Sequence, residues 1–176
     1  MDRIRDIVSD LRAFANPATE TERKLFSLKE ALKTALRLVS HELEDLSVIT
    51  DTGTDCRVFG SKTQITHVLM NLLVNSSKAL NKIPSKRFPE IRISTGKENG
   101  RLKVKVWDNG VGVKQEDIPR VFEPFFTSRD VGEGIGLGLS ICHTIVKNHG
   151  GTITLKSTEG EWTEVAFDLP VADQEG

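Results

Sequence analysis

Two runs of alternating polar and apolar residues, EIRISTG from Glu90 and RLKVKVW from Arg101, stand on either side of Glu98-Asn99-Gly100. Alternation of period two places the apolar residues of a strand on one face, and a turn signal between two such runs marks an antiparallel hairpin. A hairpin with one apolar face needs further strands beside it and a layer to cover it. TITLKS (152–157) and TEVAFDLP (163–170) read as two more strands, and Ser47–Phe59 is β-like with turn residues at Asp51 to Gly53. Helices supply the cover. One is expected from Leu28 to Leu46, with Leu28, Leu32, Ala35, Val39, Leu43 and Leu46 on one side and Ser27 and Glu30 in capping-box spacing. A second starts near Ser61, capped with Gln64, and runs to Leu80. A third spans Leu139 to Asn148 and ends at Gly150-Gly151. Strands and helices are segregated rather than strictly alternating, so the expected fold class is α+β, a two-layer α/β sandwich.

The remaining segments frame this body. Residues 2–15 read as a short N-terminal helix with Ile4, Val8, Leu11 and Ala15 on one face, ended by Asn16-Pro17, and a polar stretch without periodicity follows over 18–26. Residues 108–136 form a long irregular segment rich in Gly, Asp, Pro and Phe, a length that compact domains reserve for function. The formal net charge of −1 gives no field to favour nucleic acid or an anionic membrane. No apolar run approaches a membrane span, and no signal peptide opens the chain. Cys56 and Cys142 suit a reducing compartment as two unpaired thiols, which points to a cytoplasmic domain.

Chemistry concentrates in four places. On the helix from Ser61, a turn of 100° per residue gathers Gln64, His67, Asn71, Asn75 and Lys78 into one polar stripe, with Ile65, Val68, Leu69, Leu72, Ala79 and Leu80 broadly opposite. A merely solvated face would carry Glu, Lys and Arg. Two mid-helix asparagines each cost roughly 0.5 kcal/mol against alanine, so their amides are expected to hold oxygen ligands or a hydrated cation. Next, Asp108-Asn109-Gly110-Val111-Gly112 follows a strand directly. It reads either as a tight turn or as an acceptor-only carboxylate at a cleft, suited to the exocyclic amine of adenine. Third, Val121-Phe122-Glu123-Pro124-Phe125-Phe126 puts three phenylalanines into a loop, as a pinning cluster or as the anchor of a lid. Last, Gly132, Gly134, Gly136 and Gly138 alternate immediately before a helix. They match neither the dinucleotide fingerprint nor the P-loop, because Leu137 and Leu139 stand where a third glycine is needed and no lysine follows the glycines before Lys147.

In this order and spacing, N-x-x-x-N on a helix, D-x-G-x-G, F-E-P-F-F and G-x-G-x-G-L, the chain resembles the catalytic ATP-binding domain of sensor histidine kinases over about Ser27 to Pro170. That module is shared with gyrase B, MutL and the heat-shock chaperone ATPases. The resemblance implies a Bergerat-type fold with a mixed sheet and helices on one face, binding ATP with Mg²⁺. It implies that Asn75 is the Mg²⁺ ligand, that Lys78 and Asn71 face the phosphates, and that Asp108 binds the adenine amine with Gly110, Gly112 and Val113 around the base. Phe122 and Phe126 would belong to the lid, and Gly134, Gly136, Leu137, Gly138 and Leu139 to its hinge and the helix N-terminus facing the phosphates. Thr163 would support the adenine site, and Arg129 would reach the γ-phosphate. Two positions depart from the pattern: Ser76 stands where alanine follows the metal asparagine, and Trp162 where a glycine precedes the threonine.

By the same resemblance, residues 1–17 are the end of the second dimerisation helix, 18–26 a linker, 27–170 the ATP-binding domain and 171–176 a tail. The partners implied are the chain's own dimerisation domain, in a homodimeric intact protein, and a response regulator downstream. Hydrolytic relatives carry a glutamate as general base where this chain has Asn71, and an amide cannot accept a proton at neutral pH. Transfer of phosphate to an imidazole is therefore expected rather than hydrolysis, with a non-catalytic nucleotide-sensing module as the alternative. His41, in Ser40-His41-Glu42-Leu43, lacks the proline of the acceptor motif, so the acceptor histidine is expected upstream.

Overall fold

The structure is a computed structural model that describes residues 22–53, 55–84, 87–127 and 136–172. The helix expected at 2–15 lies outside the described residues, as do Arg129 and Gly134.

The elements run β1 (Lys24–Ser27), α1 (Leu28–Leu38), β2 (Ser47–Thr52), β3 (Arg57–Gly60), α2 (Lys62–Leu80), β4 (Glu90–Glu98), β5 (Arg101–Asp108), α3 (Gly138–Asn148), β6 (Ile153–Thr158) and β7 (Trp162–Pro170). A five-stranded mixed sheet has the order β2-β4-β5-β7-β6, parallel between β2 and β4 and antiparallel elsewhere; β1 and β3 pair separately. The α+β class stands, with three helices against the sheet. The hairpin stands as well, with Asn99 (φ 51°) and Gly100 (φ 72°) making the turn between Glu98 and Arg101.

Period two explains the core. Leu102, Val104 and Val106 of β5 point to the same side as Ile91 and Ile93 of β4 and Val165, Phe167 and Leu169 of β7, and all are buried. Against them pack Leu28, Ala31, Leu32 and Ala35 of α1, Ile65, Val68, Leu69, Leu72 and Leu73 of α2, and Ile141, Cys142, Ile145 and Val146 of α3. Capping follows expectation: the Ser27 and Ser61 hydroxyls accept from the N–H groups of Glu30 and Gln64, each at 3.2 Å. Neither Cys56 nor Cys142, both buried, is in a disulfide. Among the described residues no helix is long and apolar enough to cross a membrane.

Two expectations are corrected. The helix read as Leu28 to Leu46 ends at Leu38, where the Val39 N–H turns back to the carbonyls of Ala35 and Arg37; Ser40–Leu43 continues as a 3₁₀ turn. That tighter coil still buries Val39 and Leu43, so the apolar spacing could not separate the two geometries. The stretch without periodicity at 18–26 contains most of β1, a strand of four residues too short to alternate visibly. At the other end Val171 bridges to Val58, and the Ala172 N–H donates to the Arg57 carbonyl at 3.1 Å, so the tail begins as part of the β1–β3 layer.

A buried histidine ties α3 to the start of α2. The Ser61 N–H donates to Nε2 of His149 at 3.0 Å, and Nδ1 lies 2.8 Å from the Ile145 carbonyl, to which it donates. The bond from Ser61 requires the neutral ring, since Nε2 must accept, and burial holds its pKa below the ordinary value; the Ile145 carbonyl works against this and Arg23 with it. The unfolded chain takes up this proton near pH 6.5, and the folded one only lower. The His149 contribution is therefore complete above about pH 6.5 and is lost as pH falls below it. Melting curves between about pH 7.5 and 5 should slope downward on the acid side, and less steeply in His149→Gln.

Candidate functional site

The row of inward-facing residues on β5 continues Leu102, Val104, Val106 and then Asp108. The carboxylate therefore sits on the core face at the strand end, with only 3% of its surface exposed. The neighbouring strands continue this arrangement in two rungs. One is apolar: Val106 pairs with Val165, which pairs with Leu155. The next is polar: Asp108 pairs with Thr163, which pairs with Ser157. Val106, Val165 and Leu155 of the apolar rung and Asp108 and Thr163 of the polar one line a cavity of about 640 Å³.

The cavity brings together most of the residues singled out from sequence. Asn71, Asn75, Lys78, Asp108, Gly112, Val113, Phe126, Gly136, Leu137, Gly138, Leu139 and Thr163 all line it, along with His67, Ser76 and Ala79. Ala79, grouped by spacing with the apolar side of α2, belongs to this wall instead. One amide on that wall is conspicuous: Nδ2 of Asn71 is buried and meets no hydrogen-bond partner among the described residues. Unsatisfied buried donors are rare enough to call for a ligand or water.

Gly110 and Phe122 are expected site residues that do not line the cavity. A Cβ on Gly110 would meet the Ala79 side chain and Asp108 Oδ1, each at 2.7 Å, so this glycine serves close packing of the loop on α2. Phe122 turns its ring to His143, 5.8 Å between centroids. Gly112 lines the cavity but has a further reason to be glycine: its φ is +68°, and a Cβ would lie 2.2 Å from the Thr158 carbonyl oxygen. The Phe125 N–H donates to the Gly136 carbonyl at 2.9 Å, joining the two described ends of the loop between Asp108 and α3. The Arg120 guanidinium lies 4.5 Å over the Phe126 ring.

α3 begins beside α2. The position a Gly138 Cβ would take is 3.9 Å from Asn75 Nδ2, and the helix start has no side-chain cap. Uncapped N–H groups and the positive end of the helix dipole both favour an anion there. Among the described residues no group of three His, Cys, Asp or Glu side chains could hold a metal unaided.

Several contributors were not legible in sequence. Ser76 Oγ donates to Asp108 Oδ2 at 2.8 Å, and the Gly110 N–H donates to Oδ1 at 3.0 Å. Ser157 Oγ accepts from the Val113 N–H at 2.8 Å, donates to the Trp162 carbonyl at 2.6 Å and lies 2.9 Å from Thr163 Oγ1. Trp162 at the expected glycine position thus leaves Thr163 in the polar rung, because only the Trp162 backbone enters the network. Arg87 reaches from the α2–β4 loop to the carbonyls of Asn109 (3.1 Å) and Gly160 (3.0 Å), clasping the loop after β5 to the β6–β7 turn. His41, 93% exposed in its side chain, stands 3.2 Å from Glu44 at the cavity rim.

A model of the histidine kinase-, DNA gyrase B-, and HSP90-like ATPase family matches residues 60–173. The sensor histidine kinase ZraS of Escherichia coli (strain K12) is 30% identical over 97% of the chain, which spans 36% of that protein's length. The catalytic domain of histidine kinase ThkA superposes with a TM-score of 0.72 at 30% identity, covering 85% of this chain and 95% of that one. ThkA in complex with the response regulator TrrA shares the fold, with a TM-score of 0.77 at 24% identity over 99% of this chain and 50% of that one.

Proposed function

The chain belongs to the histidine kinase-, DNA gyrase B-, and HSP90-like ATPase family of nucleotide-binding domains, and on that premise we propose that it is the catalytic domain of a sensor histidine kinase. It binds ATP with Mg²⁺ and presents the γ-phosphate to a histidine on a dimerisation domain. The observation that carries this reading is the convergence on one cavity of a buried carboxylate, Asp108, and the amide stripe of α2 beside the uncapped start of α3.

Adenine lies on the Val106–Val165–Leu155 rung with its exocyclic amine at Asp108, and Thr163 supports that edge. The triphosphate runs toward the start of α3, where Asn71 Nδ2 finds the acceptor it lacks among the described residues, and Lys78 at the rim adds positive charge. Mg²⁺ commonly arrives with phosphate oxygens and waters and needs few protein ligands. Asn75 would hold it, and the ion would supply charge compensation for the triphosphate. Phosphoryl transfer asks the protein mainly for positioning and charge compensation. The attacking imidazole nitrogen carries no proton, so no base is needed where Asn71 stands. Arg129, outside the described residues, is assigned to the γ-phosphate by the resemblance of its motif alone. After transfer to the histidine, a response regulator takes the phosphoryl group.

The test is incubation with γ-labelled ATP and Mg²⁺, alone and with a separately supplied dimerisation domain of a matching kinase. Acid-labile label should appear on the dimerisation domain and not on this chain. Label on this chain, on His41 for example, would contradict the assignment of the acceptor to another domain.

A further inference from the structure

Two loops distant in sequence meet on the side chain of Arg87. Its Nη1 donates to the carbonyls of Asn109 at 3.1 Å and Glu161 at 3.4 Å, and its Nη2 to the carbonyl of Gly160 at 3.0 Å. A guanidinium is a rigid planar fork of donors, so it holds the loop after β5 and the β6–β7 turn in one fixed plane. An ammonium is a point charge on a flexible stem and holds no such plane. Asn109 doubles the tie. Its Nδ2 donates to the Phe88 carbonyl and its Oδ1 accepts from the Glu90 N–H, each at 2.8 Å.

Arg87, Asn109, Gly160 and Glu161 are not among the residues lining the cavity, but Val111, Gly112 and Val113, just beyond Asn109, are. That stretch of wall is joined to β6 and its turn by the Gly160 N–H on the Val111 carbonyl (2.7 Å) and by the Val113 N–H on Ser157 Oγ (2.8 Å). Arg87 adds a further tie across the same junction. Its loss would cost the fold little: Arg87 is only half-buried, Gly160 and Glu161 are exposed, and water can take over their carbonyls. Water cannot keep the two loops in register. A loop that loses a tie opens locally well before the domain unfolds. A ligand that needs the closed form then binds with an affinity reduced by the closed fraction.

We propose that Arg87 is a positioning residue for nucleotide binding, which touches no ligand atom and keeps the Val111–Val113 wall of the cavity formed before the nucleotide arrives. This rests on the reading of the cavity as an ATP site.

The test is calorimetric titration of the whole chain with ATP and with ADP, both with Mg²⁺, on wild type, Arg87→Ala and Arg87→Lys, beside residue-resolved hydrogen exchange. Both variants should weaken both nucleotides about three- to tenfold, because Lys keeps the charge without the fork. The Val113 and Gly160 amides should exchange faster in the variants and slow again when ATP is added, while those of Val104 and Val106 within β5 stay as in wild type. Full recovery of affinity in Arg87→Lys would make Arg87 a source of charge only. A loss for ATP but not ADP would mean a contact with the γ-phosphate, and faster exchange throughout the sheet a general loss of stability. Each of these results overturns the inference. If wild type bound neither nucleotide, the ATP reading would fall and this inference with it. If wild type and both variants bound ATP equally well, the ATP reading would survive and the role of Arg87 alone would be refuted.

Discussion

Asp108→Asn should weaken ATP binding by about ten- to a hundredfold or more, the cost of roughly 1.5–3 kcal/mol for losing a charged hydrogen bond, while leaving the chain folded. The fold survives because the internal partners of Asp108 can adapt. The amide oxygen can keep the Gly110 N–H now on Oδ1, and the amide nitrogen can face Ser76, whose hydroxyl rotates to accept instead of donate. What the variant cannot do is offer the adenine amine a wall of acceptors, because its NH₂ is itself a donor. Isothermal calorimetry against ATP, beside a melting curve, separates the two effects. A folded variant with undiminished ATP affinity would remove Asp108 from base recognition.

Gly112→Ala should cost about 2–4 kcal/mol of stability, through overpacking and a left-handed backbone together, and lower the melting temperature by roughly 5–15 °C. An added Cβ would meet backbone rather than a flexible side chain: the Thr158 carbonyl oxygen at 2.2 Å, its carbon at 2.8 Å and Glu159 Cα at 2.9 Å. The loop has little freedom to retreat. The Gly160 N–H donates to the Val111 carbonyl at 2.7 Å on one side of Gly112, and the Val113 N–H to Ser157 Oγ at 2.8 Å on the other. Gly100, equally left-handed but with nothing within 4 Å of its would-be Cβ, is the control. Gly100→Ala should show only the conformational part. Equal losses at both positions would mean that contact with the β6–β7 turn contributes nothing.

Much of this arrangement could be read from the chain, for identifiable reasons. The hairpin was legible because its alternation is strict and Asn99-Gly100 suits a left-handed turn. α2 was legible because Ser61 and Gln64 mark its start and two asparagines are costly inside a helix. Asp108 reads in sequence only as a carboxylate at a strand end; its place on the core face comes with the row Leu102, Val104, Val106 once β5 is seen to run through it. What escaped depends on contacts distant in sequence. Ser76 stood out only as a departure from the motif; its meaning appears when α2 packs across β5, 32 residues away. Ser157 lies in an ordinary alternating strand, and Arg87 in a polar loop, so neither carries a local signal. The sequence offers Gly110 and Gly112 as room for a base, whereas the groups that approach them most closely are Ala79 and Thr158. The early end of α1 was invisible because Val39 and Leu43 are buried in either geometry.

On the proposed function, one cavity clasps the base at Asp108 and the triphosphate with its Mg²⁺ at the α2–α3 junction. Calorimetric titration of the whole chain with ATP, with and without Mg²⁺, tests it most directly. The account predicts a single saturable site that tightens when Mg²⁺ is present. Absence of saturable ATP binding, or an affinity indifferent to Mg²⁺, would contradict it.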